Sequence, residues 1–152
     1  VEVLKLPYSE RLSGAPRIAA MALVPAAGSG QDFHVLLRSD LAALSSSLPA
    51  PLAKPVGELA ALQVDVGFPA TGVLTVDGNL KRDLYWNMQL STATEAWRVD
   101  RGAFRFGGQP AALPTQPGLE VRGRLKRFPL DDWLDLGGGD GRRLRARRPR
   151  RR

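Results

Sequence analysis

The sequence predicts a mainly β fold: an antiparallel, amphipathic sheet with one short helix near residues 130–136. Three observations predict it. Apolar side chains recur at every second position in about seven short segments. Clusters of Gly, Pro, Asn and Asp separate those segments. Only Leu130–Leu136 carries helical spacing, with Asp131 and Asp132 in the first turn, where the helix dipole favours acids. Because the apolar residues keep to one face strand after strand, the sheet is half wet. It must close into a barrel, pack on a second sheet, or cover its apolar face with something that is not protein.

In chain order, Val1–Leu6 and the more apolar Arg17–Val24 are the first two strands, and AAGSGQD supplies a turn. Asp32–Leu41 follows, with Phe33, Val35, Leu37 and Leu41 on one face and Asp32, His34, Arg38 and Asp40 on the other. Leu62–Phe68 sets Leu62, Val64, Val66 and Phe68 against Gln63, Asp65 and Gly67. Thr71–Val76 leads into Asp77-Gly78-Asn79, read as a tight turn because Gly and Asn tolerate positive φ. Leu80–Ser91 then places Leu84, Trp86, Met88 and Leu90 opposite Tyr85, Asn87, Gln89 and Ser91. Trp97, Val99, Phe104 and Phe106 continue the series through an Arg101-Gly102 step expected to be a bulge or a turn. After the proline-rich FGGQPAALPTQPG, residues Leu119, Val121, Gly123 and Leu125 form a last alternating face.

The segment SDLAALSSSLPAPLAKPV, residues 39–56, fits neither pattern. Prolines 49, 51 and 55 fix φ and remove donors, so an extended connector is expected, with a possible helical turn near Leu41–Ser46. Its recurring leucines imply that it lies on apolar surface. Its two ionisable residues, Asp40 and Lys54, have nothing between them in sequence to orient either.

The 152 residues carry a formal net charge of +7. Eight arginines and one acid fall in residues 137–152, so the first 136 residues balance fourteen basic against fourteen acidic side chains. The body is neutral, which argues against nucleic acid as its partner. The tail GGGDGRRLRARRPRRR lacks apolar periodicity and reads as disordered. An arginine tract binds nucleic acid or anionic lipid by counterion release; the same small alphabet is also what an out-of-frame GC-rich end would encode. With no cysteine, disulfides and Cys-based zinc sites are excluded. No stretch reaches the roughly 18 apolar residues of a membrane helix, and no signal peptide is recognisable. Any export or anchoring element is expected outside this chain.

Catalytic parts are missing. His34, the sole histidine, has no metal or triad partners clustered with it in sequence and reads as a surface residue. Ser45–Ser47 lack a nucleophile elbow, and no phosphate-binding glycine loop of the GxxxxGK type occurs. Asp131, Asp132 and Asp135 lack calcium-loop spacing. The reading is of a protein that is not an enzyme and needs no metal or cofactor. Trp133 is expected to dock the short helix on the sheet.

Four stretches carry a family resemblance. SDLAALSSSLPAPLAKPV resembles a signature of the YhdP family, large AsmA-like proteins of Gram-negative bacteria. RLSGAPRIAAMAL upstream, VDRGAFRFGGQPAALPTQPGLEVRGRL in the middle and RGRLKRFPLDDWLDL downstream are similar to further family elements, in the same order. The likeness covers roughly residues 10–136, and residues 137–152 match nothing in it. Ser45–Ser47 are more polar than the family pattern.

The resemblance implies a bridge-like lipid-transfer protein: an inner-membrane helix, then a long β-sheet curled into an open, taco-like groove across the periplasm toward the outer membrane. Residues 1–136 would be one groove section of such a protein, periplasmic and anchored through parts absent here. Phospholipid acyl chains would be its ligand, and other envelope proteins its partners. On that reading the groove candidates are Phe33, Val35, Leu37, Val64, Val66, Phe68, Leu84, Trp86, Met88 and Leu90. The alternatives are a structural or partner-docking module without lipid contact, and a nucleic-acid binder acting through the tail.

Overall fold

The computed structural model describes residues 8–94 and 96–137. The expected first strand, Val1–Leu6, and all but the first residue of the Gly/Arg-rich tail lie outside them. Seven strands form one open sheet in the order β2-β3-β5-β6-β7-β8-β9. They are β2 (Ala19–Leu23), β3 (Phe33–Ser39), β5 (Leu62–Ala70), β6 (Val73–Leu80), β7 (Leu84–Thr94), β8 (Ala96–Phe106) and β9 (Gly118–Gly123). A two-stranded ladder pairs β1 (Leu12–Ser13) with β4 (Ser45–Ser46), and α1 (Leu130–Leu136) ends the described chain.

All neighbours from β2 to β8 pair antiparallel, whereas β8 and β9 run parallel. The sheet is therefore mixed, not wholly antiparallel as the sequence suggested. Residues 107–117 make the return, an eleven-residue crossover with no helix. Arg101 Nη1 donates to the Pro114 carbonyl at 3.0 Å and Asn87 Nδ2 approaches the Ala111 carbonyl at 3.5 Å, so the crossover lies over the polar face. Beneath it Ala103 is 5% exposed.

The Asp77-Gly78-Asn79 turn does not form. All three residues pair on both sides within β6, and the chain reverses at Lys81 and Arg82, at φ 57° and 54°. Glycine is needed at 78 for a different reason: a side chain there would meet the Gln63 carbonyl and the Trp86 ring. The irregularity expected at Arg101-Gly102 is a bulge one residue earlier. Gln89 faces Arg101 but Leu90 faces Val99, which leaves Asp100 as the extra residue.

The segment after Ser39 is no extended connector. Ser46 and Lys54 exchange backbone hydrogen bonds of 2.7 and 3.0 Å around a turn in which Leu52 N–H donates to the Pro49 carbonyl. The prolines deny the ladder its interior but leave the flanking residues free to pair. The helical turn near Leu41 reduces to one bond, Leu44 N–H to the Leu41 carbonyl, because Ser45 and Ser46 leave to pair with β1. Lys54 is oriented after all. It is 7% exposed, and its Nζ donates to the carbonyls of Leu44 at 2.6 Å and Pro55 at 3.2 Å.

Trp133 docks α1 on this loop instead of the sheet. Its Nε1 donates to the Ala50 carbonyl at 2.9 Å, and its ring stacks on Phe128 with centroids 6.2 Å apart. A helix of seven residues depends on such tertiary contacts, since helix propensity alone does not sustain it.

Candidate functional site

Strand register decides which side chains share a face. One row across the sheet reads Ala22, Val35, Val66, Val76, Met88, Gly102 and Leu119. The next reads Ala20, Leu37, Val64, Gly78, Trp86, Phe104 and Val121. Phe33 and Phe68 pair beyond the first row, with ring centroids 5.2 Å apart. Leu84 lies below the second row, between Leu80 and Phe106, and Leu90 lies above the first, between Leu74 and Val99. All ten sequence candidates thus stand on one face. Among the described residues, the strands and helix in substantial contact with one another are hydrogen-bonded sheet neighbours, so no second sheet or helix packs on this face.

That face is partly exposed, more so toward β9. No large side chain is fully buried among the described residues, and the only buried apolar residues are Leu41, Ala60 and Ala103. Ala103 belongs to the opposite face, under the crossover. On the apolar face Phe68 is 41%, Trp97 47% and Val121 66% exposed. Among the described residues, the apolar side of this seven-stranded sheet therefore has no fully buried core.

Sequence reasoning missed part of this face. Leu74 and Val76 lay in the expected Thr71–Val76 strand but were given no face, and Phe104, Leu119 and Val121 were read as apolar without being joined to the row. Gly78 and Gly102 lie within the rows as low points. Side chains there would meet Trp86 in one case and Met88 and Leu119 in the other, so these larger neighbours lean over them.

The other face is mostly polar, its apolar residues including Met21, Leu23 and Leu36 near the β2 edge, Val73, and Ala103 under the crossover. His34 is paired there, not merely solvated beside Asp32 and Arg38. Its Nδ1 lies 2.6 Å from Asp65 Oδ1 of the neighbouring strand, and that hydrogen bond raises the His34 pKa above the ordinary value. Asp77 stands opposite Asp65, and partial burial followed by the Asp65 charge pushes its pKa up. Gly67, between His34 and Thr75, keeps the row open, because a side chain there would meet both. Among the described residues no group of three or more His, Asp or Glu could hold a metal ion. No described helix is long and apolar enough to cross a membrane.

The family model for YhdP protein matches residues 1–141. The chain belongs to the YhdP family. The match runs past residue 136, where the resemblance in the sequence ends. Against the intermembrane phospholipid transporter YhdP of Escherichia coli strain K12, this YhdP-family chain is 31% identical over 115 residues. The aligned part is 71% of the chain and 8% of that relative, so the chain spans a small section of its length. No solved structure matches. Two of the stretches that carry the resemblance, the LPAPL loop and the DDWLDL helix, meet in the contact between Ala50 and Trp133.

Proposed function

We propose that this chain is one section of a YhdP-type envelope protein, and that phospholipid acyl chains travel along its apolar sheet face between the inner and outer membranes. The observation that carries the reading is the continuous apolar face on which, among the described residues, no second sheet or helix packs. In a YhdP-family chain, that face is where a lipid would complete the missing core. Each CH₂ kept out of water is worth about 0.8 kcal/mol, so an acyl chain on the face is stabilised substantially. Leu, Val, Phe and Met attract without direction, which suits movement along the face rather than retention at one point. The polar side leaves headgroups access to water.

On this reading the sheet curls into an open groove in the periplasm, and the parent protein holds the membrane anchor. The mechanism needs no catalytic group and no cofactor. The lipid contacts are the ten candidates named above, with Val76, Phe104 and Val121 extending them.

The test is native mass spectrometry with lipid extraction on the full chain, purified gently from a bacterial membrane fraction. Near-stoichiometric phospholipid is expected in the wild type and in a Thr75→Asp control on the polar face. The Val64→Asp/Trp86→Asp variant should be lipid-free while still folded by circular dichroism. A folded, lipid-free wild type would overturn the proposal, as would a folded double variant that keeps its lipid.

A further inference from the structure

Arg105 of β8 and Arg122 of β9 are register partners at the edge of the sheet. Like charges directly opposite on neighbouring strands destabilise a pair. Arg124 follows just beyond β9, and all three line one open concavity of about 470 Å³ together with Phe106, Gly107 and Gln109. Among the described residues, Arg105 and Arg124 have no acidic partner. Arg122 Nε pairs with Glu120 Oε1 at 2.6 Å, so three guanidinium groups meet one nearby carboxylate. Lys126 and Arg127 continue the basic stretch, with no acid until Asp131.

We propose that Arg105, Arg122 and Arg124 form a binding site for a phosphate group, the phosphodiester of a phospholipid headgroup. Guanidinium forks match phosphate oxygens in pairs, and two forks set opposite each other gain most when an anion lies between them. The concavity has an apolar wall as well. Register sets Arg105 and Arg122 on the polar face, whereas Phe106, the next residue, belongs to the apolar face beside Leu84, so the concavity lies at the end of β8 and β9, where the two faces meet. The glycines at 107 and 123, at φ 100° and 139°, leave the opening unobstructed by side chains of their own. The site rests on the lipid reading only for the source of the phosphate.

The test follows the arginine Nε–H resonances of the full chain by NMR during titration with monomeric dihexanoylphosphatidylglycerol, inorganic phosphate or phosphate-free dihexanoylglycerol. Dihexanoylphosphatidylglycerol should shift the Arg105 and Arg124 signals, and dihexanoylglycerol should not. Arg105→Gln/Arg124→Gln should weaken binding about tenfold or more. Arg105→Lys/Arg124→Lys, which keeps the charge, should recover part of it. The distal arginine tail is present in every variant and cancels from the comparison. Binding unchanged in the glutamine variant overturns the site; if Trp86→Asp abolishes the same binding, the lipid reading stands without it. If inorganic phosphate binds with the same arginine dependence and the lipid binds no tighter, the phosphate site is supported and the lipid reading fails.

Discussion

The Trp133 indole donates its Nε1 hydrogen to the Ala50 carbonyl, across 83 residues of sequence. This one bond joins the loop between β3 and β5 to the helix that follows β9. Register places Leu62, Leu80, Leu84, Phe106 and Gly123 at the same end of the sheet. Four strand spacings from β5 to β9 cover about 19 Å, and the seven steps from Gly123 to Leu130 reach at most about 25 Å. The linker is long enough to cross that end but has little slack. The Trp133–Ala50 contact therefore ties the β9 end of the sheet back toward its middle, in a fold that has little core to do so.

Trp133→Phe removes the donor and keeps an aromatic ring against Phe128. We expect a loss of about 1 kcal/mol in urea unfolding, with faster amide exchange in residues 41–60. Trp133→Ala removes the stacking as well and should cost about 2 kcal/mol or more. Equal stability of wild type and the phenylalanine variant would show that the hydrogen bond contributes nothing net.

Lys54 is the buried charge that closes the proline-rich turn. Lys54→Met keeps most of the stem volume and deletes the ammonium donor, which strands the Leu44 carbonyl. The expected cost is about 1–3 kcal/mol, read from the urea midpoint. The loss should fall on the loop: the Ser46 and Lys54 amides should lose exchange protection while those of β5 to β7 keep it.

The alternating strands were legible because a period of two survives any strand direction. Direction itself was not, since Leu119, Glu120 and Val121 alternate identically whether β9 runs parallel or antiparallel to β8. The turn after Val76 was misplaced because Asp77-Gly78-Asn79 has the composition of a turn, whereas Gly78 is small to seat the Trp86 ring. The real reversal uses Lys81 and Arg82 at positive φ, a conformation those residues seldom adopt and composition does not announce. His34 found its partner on the next strand, and Lys54 in a loop that folds back on itself. Both pairings depend on register, which no local window contains.

Gly78→Ala tests the close approach on the apolar face. The added methyl meets the Trp86 ring and the Gln63 carbonyl, and the strand ladder leaves the backbone little room to move. We expect about 1–3 kcal/mol of destabilisation, with a change in the Trp86 contribution to fluorescence. Unchanged stability and emission would mean that the ring does not rest on Gly78 in solution.

The pairing of His34 with Asp65 makes stability depend on pH. The folded pKa of His34 is raised, first by the Asp65 hydrogen bond. Its contribution is thus fully present below the unfolded value of about 6.5 and fades as pH rises through the folded pKa. Asp65→Asn should return the His34 pKa, followed by NMR of the imidazole, toward about 6.5. The gap in melting temperature between wild type and Asp65→Asn should be widest below pH 6.5 and narrow above the folded pKa. Some of it should persist there, because a neutral imidazole still donates from Nδ1 to the carboxylate. A gap that widens as pH rises would reverse the sign of the interaction and exclude a protonated His34 as its source.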